Sequence, residues 1–331
     1  MVDFLDLLIS RYTFLSTAEK LLLKDVAGDQ GSLTAMSLFD ISSITGRIHR
    51  IRDWSLDKSL KEAENTASIL AGGRIKCLCF YENDYPAQLS AIYNPPYIIY
   101  YRGALPDLHR PLVSIVGTRM PTGNGLDSSF EMGFDFGRRN IAVVSGLAAG
   151  IDGAAHAGNT EGGEKSIAVL GCGPDRIYPA SNRKTALNML ENGGALLSEY
   201  PPGTDPQRFH FPERNRIISG LSRAVIVVEA PGKSGALITA DFALEQGRDL
   251  YIHSDALHVP GNRERVERLV FDGAPVIDSA GDVLADWDFD RYSGPAADTA
   301  ENPPVLENSD AAGRLADMMA EELKGYTVKF N

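Results

Sequence analysis

Five short segments of the sequence carry the residue types that hold phosphate groups. The first is Gly117-Thr118-Arg119, which directly follows the apolar run LVSIV at 112–116. A glycine after a strand lets backbone N–H groups approach an anion, and an arginine can hold a phosphate through two parallel hydrogen bonds. On its own, the tripeptide is more often a turn closed by a surface arginine, so it needs the support of the other segments.

Two further segments, 145–152 (SGLAAGID) and 232–239 (GKSGALIT), are small-residue turns that open predicted helices. Such turns bring backbone N–H groups towards an anion. The first is not a dinucleotide fingerprint, because GxGxxG is absent and Asp152 comes too early to be the ribose-binding carboxylate. An NAD-dependent enzyme is therefore weakly supported. An isolated histidine such as His156, on the helix after this turn, is more often a packed residue than a catalyst.

Basic residues define the fourth segment, 178–184 (YPASNRK), which follows another glycine-rich turn. Arg183 and Lys184 fall in the first turn of a predicted helix. Positive charge is unfavourable at that end of a helix, and a bound anion would offset the cost. The segment is therefore a further candidate for phosphate contact.

Aromatic and basic residues are mixed in the fifth segment, 209–216 (FHFPERNR). Aromatic rings beside two arginines and an asparagine suit base stacking combined with phosphate contact. Arg214 and Arg216 could equally tie loops together through carboxylates such as Glu199 and Glu229. The sequence leaves both interpretations open.

Repeated strand, glycine turn and helix units must position these segments. From residue 111 onward, apolar runs alternate with helical patterns, and each glycine-rich turn follows an apolar run. This alternation predicts an α/β fold with a doubly wound parallel sheet. In such sheets ligands bind beyond the carboxyl ends of the strands. All five segments are expected to converge there, on an extended anionic ligand with several phosphates.

The remaining sequence divides into smaller parts. Residues 1–72 predict a small all-helical domain, and 73–286 predict the sheet domain with a lead-in strand pair at its start. Residues 287–310 are rich in Asp, Pro, Ala and Asn and predict an acidic, proline-containing linker. Residues 311–331 predict one short helix.

Composition restricts the function further. The net charge is −12, but residues 251–331 hold 7 Lys and Arg against 16 Asp and Glu, so a local anion site elsewhere is not excluded. No apolar run reaches the ~18 residues that predict a membrane span. The N-terminus lacks the basic region of a signal peptide, and three cysteines without zinc-like spacing indicate a reducing cytoplasm and no structural metal.

Several catalytic motifs are absent. The sequence has no Walker GxxxxGK[ST], no HExxH, no GxSxG and no paired carboxylates at a catalytic spacing. A binding protein without a cofactor therefore fits better than an enzyme.

The order of the motifs resembles the DNA-processing protein A (DprA/Smf) family. GTR, VVSGLAAGIDGAAH, IAVLGCG, IYPASN, FHFPERNRIISGL and KSGALITA follow one another across about 80–280. The resemblance implies an extended Rossmann-like domain, preceded by a small helical, SAM-like domain. It also implies a non-catalytic homodimer that binds single-stranded DNA and loads the RecA recombinase during natural transformation.

The resemblance also implies roles for individual residues. Arg119 would grip the DNA backbone, with Lys184, or Arg183 beside it, as a second basic contact. Arg214-Asn215-Arg216 falls in the RNR segment of the family, where DNA contact and structural pairing both stay open. The residues implied to line the phosphate pocket are Gly117, Thr118, Ser145, Gly146, Ser234 and Gly235.

One departure and one alternative accompany this resemblance. Many family members end in a winged-helix domain, and the sequence after the predicted linker is too short for one. The alternative function is enzymatic, because 230–236 resembles the start of the PGGxGTxxE motif of LOG-type phosphoribohydrolases, which act on nucleoside monophosphates. The glutamate of that motif aligns with Thr239, which cannot supply a carboxylate.

Overall fold

The computed structural model describes residues 2–49, 51, 54–232, 234–259 and 263–288. Contacts divide the chain into two compact units. Of the described residues, one unit holds those up to Ala67 together with Tyr81–Asn83, and the other holds Ser68–Phe80 and those within 84–288. The predicted C-terminal helix, and the predicted linker beyond its first two residues, lie outside the described residues. No helix in the described part of the chain is both long and apolar enough to cross a membrane.

The first unit is built from helices with polar N-terminal caps. The side chains of Asp3, Ser16, Asp29 and Ser37 each accept a hydrogen bond from a backbone N–H of the helix that follows. Such caps satisfy N–H groups that have no partner within a helix. The helices are α1 Phe4–Ser10, α2 Thr17–Ala27, α3 Gln30–Ala35, α4 Leu38–Thr45 and α5 Leu56–Ala71, which continues into the second unit.

The second unit alternates strands and helices. Its strands are β1 Ile75–Cys79, β2 Ile98–Gly103, β3 Val113–Val116, β4 Val143–Ser145, β5 Ile167–Val169, β6 Ala195–Ser198, β7 Ala224–Val227, β8 Asp249–His253 and β9 Val276–Ile277. Its α-helices are α6 Ala87–Ser90, α7 Gly123–Arg138, α8 Ile151–Glu161, α9 Arg183–Glu191, α10 His210–Leu221, α11 Gly235–Glu245, α12 Glu264–Phe271 and α13 Ala280–Asp286. Short 3-10 turns lie at Ala180–Asn182 and Ser254–Leu257.

The described strands form one nine-stranded sheet in the order β1-β2-β6-β5-β4-β3-β7-β8-β9. The strands from β6 to β9 in this order are parallel, whereas β2 is antiparallel to both β1 and β6. The predicted α/β fold, an extended Rossmann-like sheet preceded by a helical region, is confirmed. The carboxyl ends of β3, β4, β5 and β7 therefore share one edge.

Both faces of the sheet are buried, as the continuous apolar runs predict. Successive side chains of a strand point to opposite faces. In β7, Val225 and Val227 belong to one core cluster, and Ala224 and Ile226 belong to the other. Packing against the two faces thus fixes where each covering helix begins and ends relative to the strands.

Helices α7 and α8 approach each other unusually closely through glycines. A Cβ atom on Gly158 would fall on the carbonyl oxygen of Phe130, and one on Gly133 would fall on that of Ala155. The close approach sets the position of the first turn of α8. There the N–H of Ile151 donates to the carbonyl oxygen of Thr118, at 3.3 Å.

We expect Gly158→Ala to lower the free energy of unfolding by about 1–3 kcal/mol, the usual cost of overpacking. The helical preference of alanine offsets only part of this loss. Gly123→Ala is the matched control, because a Cβ there meets no atom within 4 Å. Urea denaturation of both variants measures the difference, and equal stabilities would contradict the close-packing argument.

Candidate anion-binding site

A cavity of about 720 Å³ opens at the carboxyl ends of β3 and β7. Its walls come from the β3–α7 turn, the β4–α8 turn, Tyr178, Arg208 with one face of α10, Pro231, and the first turns of α11 with its N-cap Ser234. The predicted site residues that line it are Gly117, Thr118, Arg119, Arg214, Asn215, Ser234 and Gly235. The predicted site residues outside the lining are Ser145, Gly146, Arg183, Lys184 and Arg216.

The β3–α7 turn is held from two sides, and Arg119 stands at its tip. The N–H of Thr118 donates to the carbonyl oxygen of Glu229 at 2.7 Å, while the carbonyl of Thr118 accepts from α8. Arg119 is exposed, and its guanidinium carbon lies 5.8 Å from the centre of the Phe211 ring. A fixed backbone therefore presents a solvent-facing guanidinium over an aromatic ring.

The N-terminus of α7 is already neutralised by a carboxylate of the protein. Glu229 is 1% exposed and accepts hydrogen bonds from the backbone N–H of Thr122, at 3.0 Å, and from its hydroxyl. That hydroxyl in turn accepts from the N–H of Gly125, at 3.1 Å. A negative charge at this end of a helix is favourable. Glu229 therefore occupies the position that an anion would take at α7.

The helices that follow β4, β5 and β6 begin without a side-chain cap. The N-cap residues of α8, α9 and α10 are Gly150, Asn182 and Phe209, and none of their side chains accepts a hydrogen bond from its own helix. In their first turns α8 carries Asp152 and α10 carries Glu213, whereas α9 carries no acidic residue. Asp152 lines the cavity and accepts hydrogen bonds from the backbone N–H groups of Gly146 and Ala148, so the protein itself supplies negative charge at the start of α8.

Ser145 and Gly146 support the cavity from behind. The Ser145 hydroxyl donates to the carbonyl oxygen of Ile115 at 2.6 Å, and the side chain is fully buried. A Cβ on Gly146 would come within 2.6 Å of Arg214 Nη2 and 2.8 Å of Asp152 Oδ2. Glycine at this position therefore makes room for the charged groups of the cavity floor.

Arg214 is a buried cation in the floor. It is 5% exposed, and its Nη1 donates to the carbonyl oxygens of Gly146, at 3.0 Å, and of Val169. Burial lowers the pKa of Arg214 to about 10, and Asp152 opposes this shift, so the guanidinium stays charged at neutral pH. Burial likewise raises the pKa of Asp152, against the effect of Arg214. Arg214 thus both joins β4 to β5 and lines the cavity.

The other two residues of the RNR segment, Asn215 and Arg216, make different contacts. The Asn215 amide donates to the carbonyl oxygen of Gly235 at 3.2 Å and ties α10 to the first turn of α11. Arg216 instead donates from Nη2 to both carboxylate oxygens of Glu199, each at 2.7 Å, away from the cavity lining. Of the two alternatives for Arg216, its position favours structural pairing.

Arg183 and Lys184 are exposed beside the cavity. The amide of Asn182, directly before them, donates to the carbonyl oxygens of Leu147, at 3.1 Å, and Ala148, at 2.7 Å. These bonds attach the start of α9 to the β4–α8 turn, which supplies Ala148 to the cavity lining. The two basic side chains are therefore neighbours of the site and not part of its wall.

The lining also includes Arg208, Tyr178 and Phe211, of which only Arg208 lies outside the five segments. Arg208 is exposed, and the rings of Tyr178 and Phe211 lie 5.5 Å apart at an interplanar angle of 37°. The aromatic-basic mixture of 209–216 signalled this composition. Arg208 itself lies just before that segment, and only the position of α10 brings it to the cavity.

The composition of the wall favours an anion that carries a planar group. Three guanidiniums, from Arg119, Arg208 and Arg214, face one carboxylate, and aromatic rings lie among them. Thr239 is buried in the wall, where the hydrolase motif has its glutamate. Among the described residues no group of His, Cys, Asp and Glu could hold a metal ion.

His156 lies in the core, outside the cavity lining. It is fully buried, and its Nδ1 is 2.5 Å from the Ser166 hydroxyl. Burial, reinforced by the nearby Arg214, lowers the pKa of His156 to about 3. These contacts are those of a neutral, packed histidine.

The histidine makes stability depend on pH. An unfolded histidine binds a proton near pH 6.5, whereas folded His156 does so only near pH 3. Its contribution is therefore complete above about pH 6.5 and is lost as the pH falls towards 3. We expect His156→Gln to reduce the loss of unfolding free energy between pH 7 and pH 5 by about 2 kcal/mol.

Urea denaturation of both proteins at the two pH values checks this. The raised pKa of Asp152 acts in the opposite direction but is present in both proteins, so it cancels in the comparison. The same pH dependence in wild type and variant would show that His156 does not control it.

Comparison with known proteins finds a family model that matches the sheet unit. The family model for DNA recombination-mediator protein A matches residues 76–288. Protein Smf of Synechocystis sp. is 45% identical over 208 residues, which cover 61% of this chain and 51% of the relative. The chain therefore spans about half the length of that relative.

Two solved structures are also similar. DNA processing protein A from Streptococcus pneumoniae superposes with a TM-score of 0.68 at 32% identity, over 86% of this chain and 98% of that one. A structure on the single-stranded DNA binding mode of DNA processing protein A from Helicobacter pylori gives a TM-score of 0.57 at 27% identity, over 66% of this chain and 97% of that one.

Proposed function

Because the chain belongs to the DNA recombination-mediator protein A family, we propose that it binds single-stranded DNA in the cavity at the carboxyl edge of its sheet. One observation carries the proposal: exposed Arg119 lies over the ring of Phe211 in the cavity wall. This arrangement offers a cation to a phosphate and an aromatic face to a base. The described DNA-binding mode of the Helicobacter relative supports it.

Binding would depend on charge and on aromatic faces, with little base sequence preference. Arg119 and Arg208 would contact successive phosphates, while Gly117 and Gly235 leave the backbone of their turns accessible. Arg214 would add fixed positive charge from the floor. Bases would stack on Phe211 and Tyr178, a contact that every base can make. Arg183 and Lys184 would extend the positive surface beside the cavity.

Arg119→Ala should weaken binding to oligo-dT about ten-fold or more, since a hydrogen bond to a charged group contributes about 1.5–3 kcal/mol. If three or four phosphates are neutralised, log K of the wild type falls with log salt with a slope of about −2 to −3. The variant should lose about 0.7 of that slope. Fluorescence anisotropy at several salt concentrations, with duplex as competitor, measures both.

Arg139→Ala is the matched control. Arg139 follows the C-terminal end of α7, outside the cavity lining, where it donates to the carbonyl oxygen of Asp135 at 3.1 Å and forms a 3.9 Å ion pair with the Asp135 carboxylate. Its loss should leave the affinity and slope unchanged. Equal effects of the two variants, or equal binding of duplex, would contradict a single-strand site at Arg119.

We further propose that the protein acts as a recombination mediator, without catalysis and as a homodimer. It would protect incoming single strands and load RecA on them in the cytoplasm during natural transformation. Two joined sites would raise the apparent affinity for long strands without new contacts. Light scattering reports the dimer, and RecA-driven strand exchange on strands covered by single-strand-binding protein tests the loading.

The alternative is hydrolysis of a nucleoside monophosphate. The cavity lining and the 230–236 turn favour a nucleotide, but Thr239 stands where the hydrolase motif has its glutamate. The alternative therefore lacks its carboxylate. Incubation with nucleoside monophosphates should release no free base, and release of base that stops when the protein is heat-denatured would favour the enzyme.

A further inference from the structure

Phe209 is a large apolar side chain that faces solvent at the rim of the cavity. It is 57% exposed. Arg208, directly before it, and Phe211, two residues after it, both line the cavity. Burying a phenyl group away from water is favourable, yet folding leaves most of Phe209 exposed. Its exposure together with its position next to the site makes the ring a candidate for contact with the ligand.

The ring of Phe209 is held in place before any ligand arrives. It meets the ring of His210 edge to face, with centroids 4.6 Å apart at 75°. His210 is 5% exposed, its Nδ1 lies 3.0 Å from the carbonyl oxygen of Gly171, and its ring stacks on Tyr200 at 3.8 Å. A partner that stacks on Phe209 therefore meets a ring that is already ordered, which reduces the entropy cost of binding.

Phe209 and Phe211 lie close together along the backbone at the start of α10. Phe209 and Phe211 are two residues apart, so their Cα atoms are separated by at most about 7.6 Å, twice the spacing of consecutive Cα atoms. A stacked single strand advances about 3.4 Å per nucleotide, and an extended one advances further. Residues two apart at the start of a helix do not face each other, so a strand meets Phe209 only after it leaves the cavity that Phe211 lines.

The charges around Phe209 favour a base over a phosphate. The carboxylate of Glu213 lies one helical turn further on and accepts a hydrogen bond from the hydroxyl of Tyr200, at 3.1 Å. Glu199 precedes Tyr200 and pairs with Arg216. A phosphate would be repelled by Glu213, whereas a neutral base would not.

We propose that Phe209 is a second base-stacking position, outside the cavity, for a base of the strand whose phosphate is held at Arg119. This rests on the proposed function, because the occupant is a base of the same strand. The strand leaves the cavity past Arg208 and lays that base on the phenyl ring. The protein thereby contacts bases on both sides of Arg208.

Three variants at this position test the proposal with oligo-dT and with an abasic oligonucleotide of equal length. Phe209→Ala and Phe209→Leu should both weaken oligo-dT binding by about five- to twenty-fold, within the range of base–aromatic stacking. Leucine keeps the apolar surface but has no aromatic face, so it should not rescue. Phe209→Trp should bind at least as well as wild type. The abasic strand should bind all four proteins equally.

Phe209→Trp also gives a direct readout of stacking. Its added fluorescence, above that of Trp54 and Trp287, should be quenched by oligo-dT and not by the abasic strand. The matched control is Phe39, a phenyl of α4 that is 78% exposed in the other unit. Phe39→Ala should leave affinity unchanged, and Phe39→Trp should show no quenching by oligo-dT.

The outcomes separate this inference from the function on which it rests. If wild type binds neither strand, the proposed function fails. If wild type binds oligo-dT but Phe209→Ala binds it equally well, or loses the same affinity for the abasic strand, only the second stacking position is overturned. Circular dichroism melting of each variant confirms that α10 is intact, and Phe209→Trp remains informative if Phe209→Ala does not fold.

Discussion

The buried guanidinium of Arg214 is the interaction on which the candidate site depends. It is held by carbonyl oxygens at the ends of β4 and β5, and it belongs to α10, which follows β6. A buried arginine is costly unless its donors are satisfied. Its hydrogen bonds therefore keep the first turn of α10 against the sheet edge. That turn carries Phe211, and Arg208 and Phe209 directly precede it.

The helix N-termini at this edge of the sheet differ in the side chains that cap or neutralise them. Glu229 neutralises α7 from within the protein, and Ser234 caps α11 through the N–H of Ala236, at 3.3 Å. The helices α8, α9 and α10 have no such partner on their own N-cap residues. A doubly wound sheet collects several helix dipoles at one edge. The protein also supplies Asp152 and Glu213 in the first turns of α8 and α10, whereas the first turn of α9 holds Arg183 and Lys184 and no acidic residue.

Similarity to family members is concentrated in the sheet unit. The family model begins at residue 76, near the start of β1, and ends at residue 288. The polar interactions that shape the cavity all fall inside this range. Arg216 falls there too, but its contacts with Glu199 connect β6 to α10. A residue can therefore lie within the range that the family model matches without lining the cavity. Neighbouring positions of one motif can differ in this respect.

Much of this protein was determined by the sequence alone. Apolar runs that alternate with helical periodicity required a parallel sheet, because only helices on both faces can bury such strands. Glycine-rich turns after those runs predicted a site at the carboxyl edge, and Arg119 became a candidate through the other segments and the family resemblance, not through its turn alone. Local pattern suffices for these features because backbone geometry and burial depend on neighbouring residues.

The tertiary structure decided which side chains face the cavity. Ser145 and Gly146 looked like lining residues, but their side of the turn packs against β3 and Arg214. Arg214 and Arg216 were indistinguishable in the sequence, and the rotation of α10 turns one to the cavity and the other to Glu199. Arg208 and Tyr178 reach the wall from separate segments. The direction of a side chain depends on long-range packing, which only the folded chain specifies.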